Sequence, residues 1–164
     1  MIKMNILRSS LLLTLFLSSV TFAQTPQTTA YQDWVGICAE VQGQERCEIQ
    51  QVLNMENEQG NTRLLRATVS KLDNQLIMQL LMPLGLDVRP GVVMQVDEGE
   101  EFSAPFLTCV QEGCLVAIPL DESRLTALRS GSVAKVGFRP FNTDQTLVLE
   151  LSLMGFTRAS QTVK

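Results

Sequence analysis

The sequence predicts a mainly β fold: a single-domain antiparallel β-sandwich or barrel with one short helix. Apolar and polar residues alternate over several short segments of the 164-residue chain, which is the pattern of strands with one buried face. Asparagine, aspartate, glycine and proline separate these segments, at a spacing typical of sandwiches and barrels. The length fits one domain with its own hydrophobic core.

Four segments show the alternation most clearly, and each is predicted to be a strand. Their apolar positions are Leu65, Ala67 and Val69; Leu76, Met78, Leu80 and Met82; Val92, Met94 and Val96; and Leu147, Leu149, Leu151 and Leu153. Turn residues such as Asp73-Asn74 lie between them, because aspartate and asparagine tolerate the left-handed backbone conformation.

The one predicted helix follows Asp121, a residue type that caps helix N-termini. Leu125 and Leu128 share one helical face, Arg129 lies in the last turn, and Gly131 is placed to end the helix. A helix of about two turns depends on tertiary packing, so we expect it to cover one end of the β core.

Residues 1–23 are predicted to be a cleaved signal peptide. Lys3 and Arg8 form a basic start, Leu11–Leu17 is a short apolar stretch, and Ala23 ends the segment with a small residue. The apolar stretch is about half the roughly 20 residues that a bilayer span needs. We therefore expect export to the periplasm, to the cell surface or into the medium, with no transmembrane segment in the mature chain.

Two further boundaries follow from composition. Residues 24–32 are polar and lack periodicity, so they are predicted to be a flexible lead-in. The β domain is predicted to span residues 33–160. Removal of the signal peptide leaves 11 basic and 17 acidic residues, a net charge of −6. An acidic chain without a basic cluster is a poor match for nucleic acid, so no nucleic-acid partner is expected.

Four cysteines occur as two close pairs, Cys38 with Cys47 and Cys109 with Cys114. In an exported protein they are expected to form disulfides. The residues 110–113 read as a hairpin turn, which brings flanking cysteines within disulfide range. A crossed pairing would close longer loops and is slightly favoured by loop entropy. Geometry favours the two local pairs, which are the predicted pairing.

No catalytic residue and no metal site is predicted. The chain contains no histidine, which removes the Ser-His-Asp triad, the Cys-His nucleophile and histidine metal ligands. The spacing of Cys38 and Cys47 is too wide for a usual zinc pair. The acidic stretch 97–101 reads as a solvated hairpin end, and the methionines read as core residues rather than copper ligands. We therefore expect neither an enzyme nor a cofactor.

The loop 83–91 contains apolar residues that are candidates for partner binding. Leu84, Leu86, Val88 and Arg89 lie in this stretch. In one interpretation the apolar side chains tuck under the loop and cap the core. In the other they contact a partner protein, since recognition residues often lie on loops.

Several motifs together resemble one known family, and they occur in this order: Asp33-Trp34, Cys38, Cys47 and Gln50-Gln51; Met82-Pro83-Leu84-Gly85 and Gly91-Val92; Pro105-Phe106-Leu107-Thr108-Cys109 and Gly113-Cys114; Leu125 and Leu128-Arg129-Ser130-Gly131; Leu151-Ser152-Leu153-Met154-Gly155-Phe156. The order is similar to that of the invasion-associated locus B family, and the resemblance covers nearly all of the mature chain.

The resemblance implies a small secreted, periplasmic or envelope-associated bacterial protein, from a family linked to the invasion of red blood cells. It implies no catalytic residue, and it marks Trp34, Gly85, Gly113 and Gly155 as positions that maintain the fold. We expect a binding protein with a protein partner on the envelope or a host surface. The alternatives are an envelope-maintenance or stress protein and a small-ligand carrier. The oligomeric state stays open.

Overall fold

Residues 25–57 and 60–164, which the computed structural model describes, form eleven strands and two short helices. The predicted signal peptide lies outside this range. The elements are β1 (Gln27–Tyr31), β2 (Trp34–Val41), β3 (Gln44–Asn57), β4 (Gly60–Leu72), β5 (Gln75–Met82), β6 (Val92–Val96), β7 (Phe102–Ala104), β8 (Phe106–Val110), β9 (Gly113–Leu120), α1 (Glu122–Ser130), β10 (Val133–Phe138), β11 (Leu147–Ser152) and α2 (Phe156–Ser160).

The strands form two antiparallel sheets. The larger has the order β1-β2-β3-β4-β5-β9-β8, and the smaller has the order β11-β10-β6-β7. Neither sheet closes on itself, so of the two predicted alternatives the structure is the sandwich. Pro105 alone separates β7 from β8, and the chain passes there from the smaller sheet to the larger one.

The hydrophobic core lies between the two sheets and takes side chains from both. The alternation in the sequence explains which side chains enter it, because successive residues of a strand face opposite sides. The predicted positions Leu65, Ala67, Val69, Met78, Leu80, Met82, Val92, Met94 and Leu151 are all buried. Leu147, at the start of β11, and Met154, just after its end, are exposed, so neither fills the core, contrary to the prediction.

Helix α1 has the predicted ends. The Asp121 side chain accepts a hydrogen bond from the Arg124 N–H at 2.8 Å, and the Gly131 N–H bonds to the Ala127 carbonyl at the C-terminus. Leu125 and Leu128 are buried. The sequence does not predict α2, because five residues are too short to show a helical period.

Two stretches differ from the predicted boundaries. Residues 27–31, in the predicted flexible lead-in, form β1. All five of them pair with residues 34–38 of β2. This strand is an exposed edge, so its sequence shows no alternation. At the other end, the chain stays packed beyond residue 160: Val163 is buried, and the backbone of Lys164 forms two hydrogen bonds with that of Cys47.

Both predicted local disulfides form. Cys38–Cys47 joins β2 to β3 and Cys109–Cys114 joins β8 to β9, with each pair directly opposite in the strand register. The Cα–Cα distances are 4.1 and 4.0 Å. The Cys47 backbone groups point to Lys164 and so away from Cys38. The bridge therefore occupies a position without cross-strand hydrogen bonds, where side chains come closest.

Candidate partner-binding surface

Two loops lie side by side at one end of the sandwich. Leu86 forms an antiparallel bridge with Pro140. On either side of it, the Phe141 N–H donates to the Gly85 carbonyl and the Asp87 N–H donates to the Arg139 carbonyl, both at 2.8 Å. We call residues 84–89 and 139–141 the loop surface. Because backbone hydrogen bonds join the two loops, the loop surface has a defined shape.

The predicted loop residues take different positions. Leu86 is half-buried and packs against the core, as the capping interpretation expects. Leu84 and Val88 remain 56% and 44% exposed, and Arg89 is exposed as well. The capping interpretation therefore holds for Leu86 alone.

The loop surface contains a further exposed apolar residue, Phe141, that sequence reasoning missed. Phe141 is 60% exposed and lies beside Gly85. Phe141 directly precedes the turn residues 142–144. An aromatic residue beside a turn is the sequence feature that could have marked it as a surface candidate. Leu84, Val88 and Phe141 together bring three large apolar side chains to one end of the molecule.

Asp87 is the electrostatic centre of the loop surface. Its carboxylate is buried and accepts hydrogen bonds from the Arg89 Nε at 2.8 Å and Nη2 at 2.9 Å. It also accepts from the Arg139 Nε at 3.1 Å and from the Arg139 Nη2. The Arg89 guanidinium, helped by Arg139, holds the pKa of Asp87 well below its usual range, and the carboxylate raises the pKa of Arg89.

The three charges leave the loop surface positive. Two guanidinium groups share one carboxylate, and the Arg89 side chain is largely exposed. This local charge is opposite in sign to the net charge of −4 of the whole chain. Asp87 and Arg139 were not predicted, because a contact between residues 52 positions apart leaves no local pattern.

Comparison with known proteins identifies the family of this chain. The profile of the invasion associated locus B (IalB) protein family matches residues 34–164. The chain belongs to the IalB family.

Relatives and a solved structure agree with the IalB assignment. Two invasion protein B homologues of Brucella abortus, from strain 2308 and from biovar 1 strain 9-941, are each 30% identical over 138 residues. The alignments cover 84% of this chain and 78% of each relative. The crystal structure of invasion associated protein B from Bartonella henselae superposes with a TM-score of 0.71 at 28% identity, over 82% of this chain and 92% of that one.

Trp34, at the start of the matched IalB region, lies at a junction between the two sheets. Its ring is buried and contacts Phe156 edge-on, with centroids 5.1 Å apart. Its Nε1–H donates to the Ser152 carbonyl at 2.9 Å. The buried Gln51 side chain donates to the same carbonyl and accepts from the Ser152 N–H. These contacts tie β11 of the smaller sheet to β2 and β3 of the larger one.

The three glycines singled out in the sequence differ in their surroundings. A Cβ at Gly155 would lie 1.8 Å from the Tyr31 carbonyl oxygen, and one at Gly113 would lie 2.2 Å from the Met82 oxygen. Gly85 has a φ of +88° but open space around it. Gly113 and Gly155 are therefore positions of close backbone approach, while Gly85 only needs a left-handed turn.

The acidic turn after β6 also holds the fold together. Asp97 accepts hydrogen bonds from the Ser132 and Val133 N–H groups at 3.0 and 2.9 Å, so it is more than the solvated hairpin end that the sequence predicts. Glu98 pairs with Lys135 at 3.0 Å and raises the pKa of that lysine. A surface cleft of about 340 Å³ lies between this turn and α1.

Two other findings bear on ligands and membranes. Among residues 25–57 and 60–164, the one group of three potential metal-binding side chains is Cys38, Glu45 and Cys47. Its two sulfurs are bonded to each other, so neither is a thiolate ligand. Over the same residues, no helix has the length and apolarity to cross a bilayer.

Proposed function

We propose that this IalB-family chain is an exported, non-enzymatic binding protein of the bacterial envelope, and that its loop surface contacts a protein partner. The observation that carries the proposal is the grouping of exposed Leu84, Val88 and Phe141 beside two arginines. Aromatic and arginine side chains are enriched in protein interfaces, and the buried core of an interface is more apolar than its rim. The absence of histidine from the sequence and the pairing of all four cysteines support a role without catalysis.

The construction of the loop surface suits binding. Hydrogen bonds between Gly85 and Phe141 and between Asp87 and Arg139 hold the loops in place before a partner arrives. A preorganised surface loses less conformational entropy on binding. The positive charge of the arginines favours a partner with an acidic contact region, because complementary charge speeds association and fixes orientation.

The location we propose is the periplasm or the outside of the cell. Two disulfides are typical of oxidising compartments, and the amino-terminal residues read as a signal peptide. The names of the Brucella and Bartonella relatives refer to invasion. They favour contact with a host cell over a role confined to envelope maintenance.

Site-specific photo-crosslinking in intact cells tests the binding surface. A photoreactive residue would replace Leu84 in one variant and Phe141 in another. Leu72 and Leu107 serve as control positions, because both are at least as exposed and lie elsewhere on the larger sheet. We expect the same partner adduct from positions 84 and 141 and none from the controls. Equal labelling at all four positions, or none at 84 and 141, would refute the proposal.

Deletion of the gene distinguishes the two candidate roles, host-cell contact and envelope maintenance. If the partner is on a host cell, deletion lowers host-cell association and leaves sensitivity to envelope stress unchanged. If the role is envelope maintenance, the stress phenotype appears without any change in host association.

A further inference from the structure

Strand β11 is an open edge of the smaller sheet along most of its length. It pairs with β10 in one continuous register, from Phe138↔Leu147 to Val133↔Ser152, and has no strand on its other side among the described residues. Its sequence, LVLELS, carries one charge, and Leu147 and Val148 are each about half exposed. Edge strands are usually protected by charged side chains, proline or a bulge, and Glu150 is the one such feature in β11.

The hydrogen-bond pattern shows which backbone groups face outward. The N–H and C=O of Ser152 bond to Gln51 and Trp34, while the Leu153 N–H bonds on the β10 side, to Ser132. Because direction alternates along a strand, the groups of Glu150 and Val148 point outward. No hydrogen bond engages them within the part of the chain that the structure describes.

We propose that β11 pairs antiparallel with β11 of a second copy of this chain, with Val148 opposite Val148 at the twofold axis. In this register Glu150 faces Thr146 of the other copy, and Leu147 faces Leu149. The two-copy contact covers the exposed Leu147 and Val148 and places no carboxylate opposite another. It joins two four-stranded sheets into one of eight strands.

Charge and hydrogen bonding select this register over its neighbours. A register centred on Glu150 would set two carboxylates face to face, which is destabilising. A register centred on Leu149 would place Thr146 opposite Ser152, whose outward groups are already bonded to Gln51 and Trp34. The Val148-centred register uses the outward groups of residues 146, 148 and 150 in both copies.

The other edges fit strand addition less well. Strand β8 is irregular between Phe106 and Thr108, and such bulges disrupt pairing. Strand β7 has only three residues. Strand β1 is polar and exposed on both faces, so pairing there would bury little apolar surface.

Sedimentation of the mature protein over a range of concentrations tests the pairing, with Val148→Pro as the blocking variant. Proline removes the outward N–H of residue 148 and leaves the β10 hydrogen bonds intact, which edge strands tolerate. Val148→Thr is the matched control, since it keeps the N–H and the branched shape. We expect a dimer for the wild type and the control, and a dimer dissociation constant raised at least tenfold in Val148→Pro. A wild-type protein that stays monomeric at every concentration would overturn the proposal.

Engineered cross-linking tests the register and does not depend on the proline variant folding. Cα atoms of a hydrogen-bonded antiparallel pair lie about 5.5 Å apart, within disulfide range. Val148→Cys should therefore give a covalent dimer through residue 148 on mild oxidation, as read by peptide mapping. Glu150→Cys, the same change two residues along the same edge, should give at least tenfold less. Equal cross-linking of the two variants, or none in Val148→Cys, would contradict the pairing.

Discussion

Gly155 shows how one residue sets the approach of α2 to β1. Its φ is +88° and a Cβ would collide with the Tyr31 carbonyl. We expect Gly155→Ala to lower the free energy of unfolding by about 3 kcal/mol, from a left-handed backbone cost of about 1–2 kcal/mol and the clash. Gly43→Ala is the control, because Gly43 also has positive φ but open space, and should cost about 1 kcal/mol. Equal losses in urea unfolding would show that the Tyr31 contact does not matter.

The lowered pKa of Asp87 leads us to expect that the stability of the protein depends on pH. Its pKa is lowered in the folded protein by Arg89 and Arg139, whereas an unfolded aspartate titrates near about 3.9. The unfolded chain therefore binds the proton more readily than the folded protein. The stabilisation that Asp87 gains from the two arginines is present above about pH 3.9 and is lost as the pH falls further. Urea unfolding should show the stability difference between the wild type and Asp87→Asn shrinking below that pH. A difference that stays constant would contradict this origin.

The individual residues of the loop surface were only partly predictable. Leu84, Val88 and Arg89 attract attention in the sequence because they interrupt a proline- and glycine-rich loop. Arg139 and Phe141 belong to a second loop that reaches the first only through tertiary pairing. No spacing within either loop encodes that contact.

At the scale of elements, the strands with one buried face were predictable and the others were not. β4, β5 and β6 alternate because they face the core on one side. β1 is exposed on both faces and α2 is a single turn, so neither has a periodic signature. The hairpin disulfides were predictable, because a turn with a glycine fixes which residues lie opposite each other.

The Cys109–Cys114 bridge holds β8, an edge strand bonded on one side only. We expect the double substitution Cys109→Ser and Cys114→Ser to speed amide exchange in β8 while β4 and β5 stay protected. The free energy of unfolding should fall by roughly 2 kcal/mol, given the short loop.

The matched control for that variant is the pair Cys38→Ser and Cys47→Ser. This bridge joins β2 to β3, so its loss should speed exchange in β2 and leave β8 unchanged. If the two double variants gave the same exchange pattern, the local role of each bridge would be refuted.

At the scale of the whole molecule, the sandwich is a scaffold that carries the loop surface at one end. The Gln51, Trp34 and Ser152 contacts lock the two sheets together, and the disulfides secure hairpins of the larger sheet. The fold class could be predicted because alternation and turn residues report it directly. Which loops meet at the end depends on how the two sheets stack, which local sequence does not encode.

The affinity of the cross-linked partner for variants of the loop surface tests the central claim most directly. Leu84→Ser combined with Phe141→Ser removes the exposed apolar side chains without touching the core. Leu72→Ser combined with Leu107→Ser removes comparable exposed side chains elsewhere. We predict a dissociation constant at least tenfold higher for the first variant and unchanged for the second. Equal affinities for both would contradict a binding role of the loop surface.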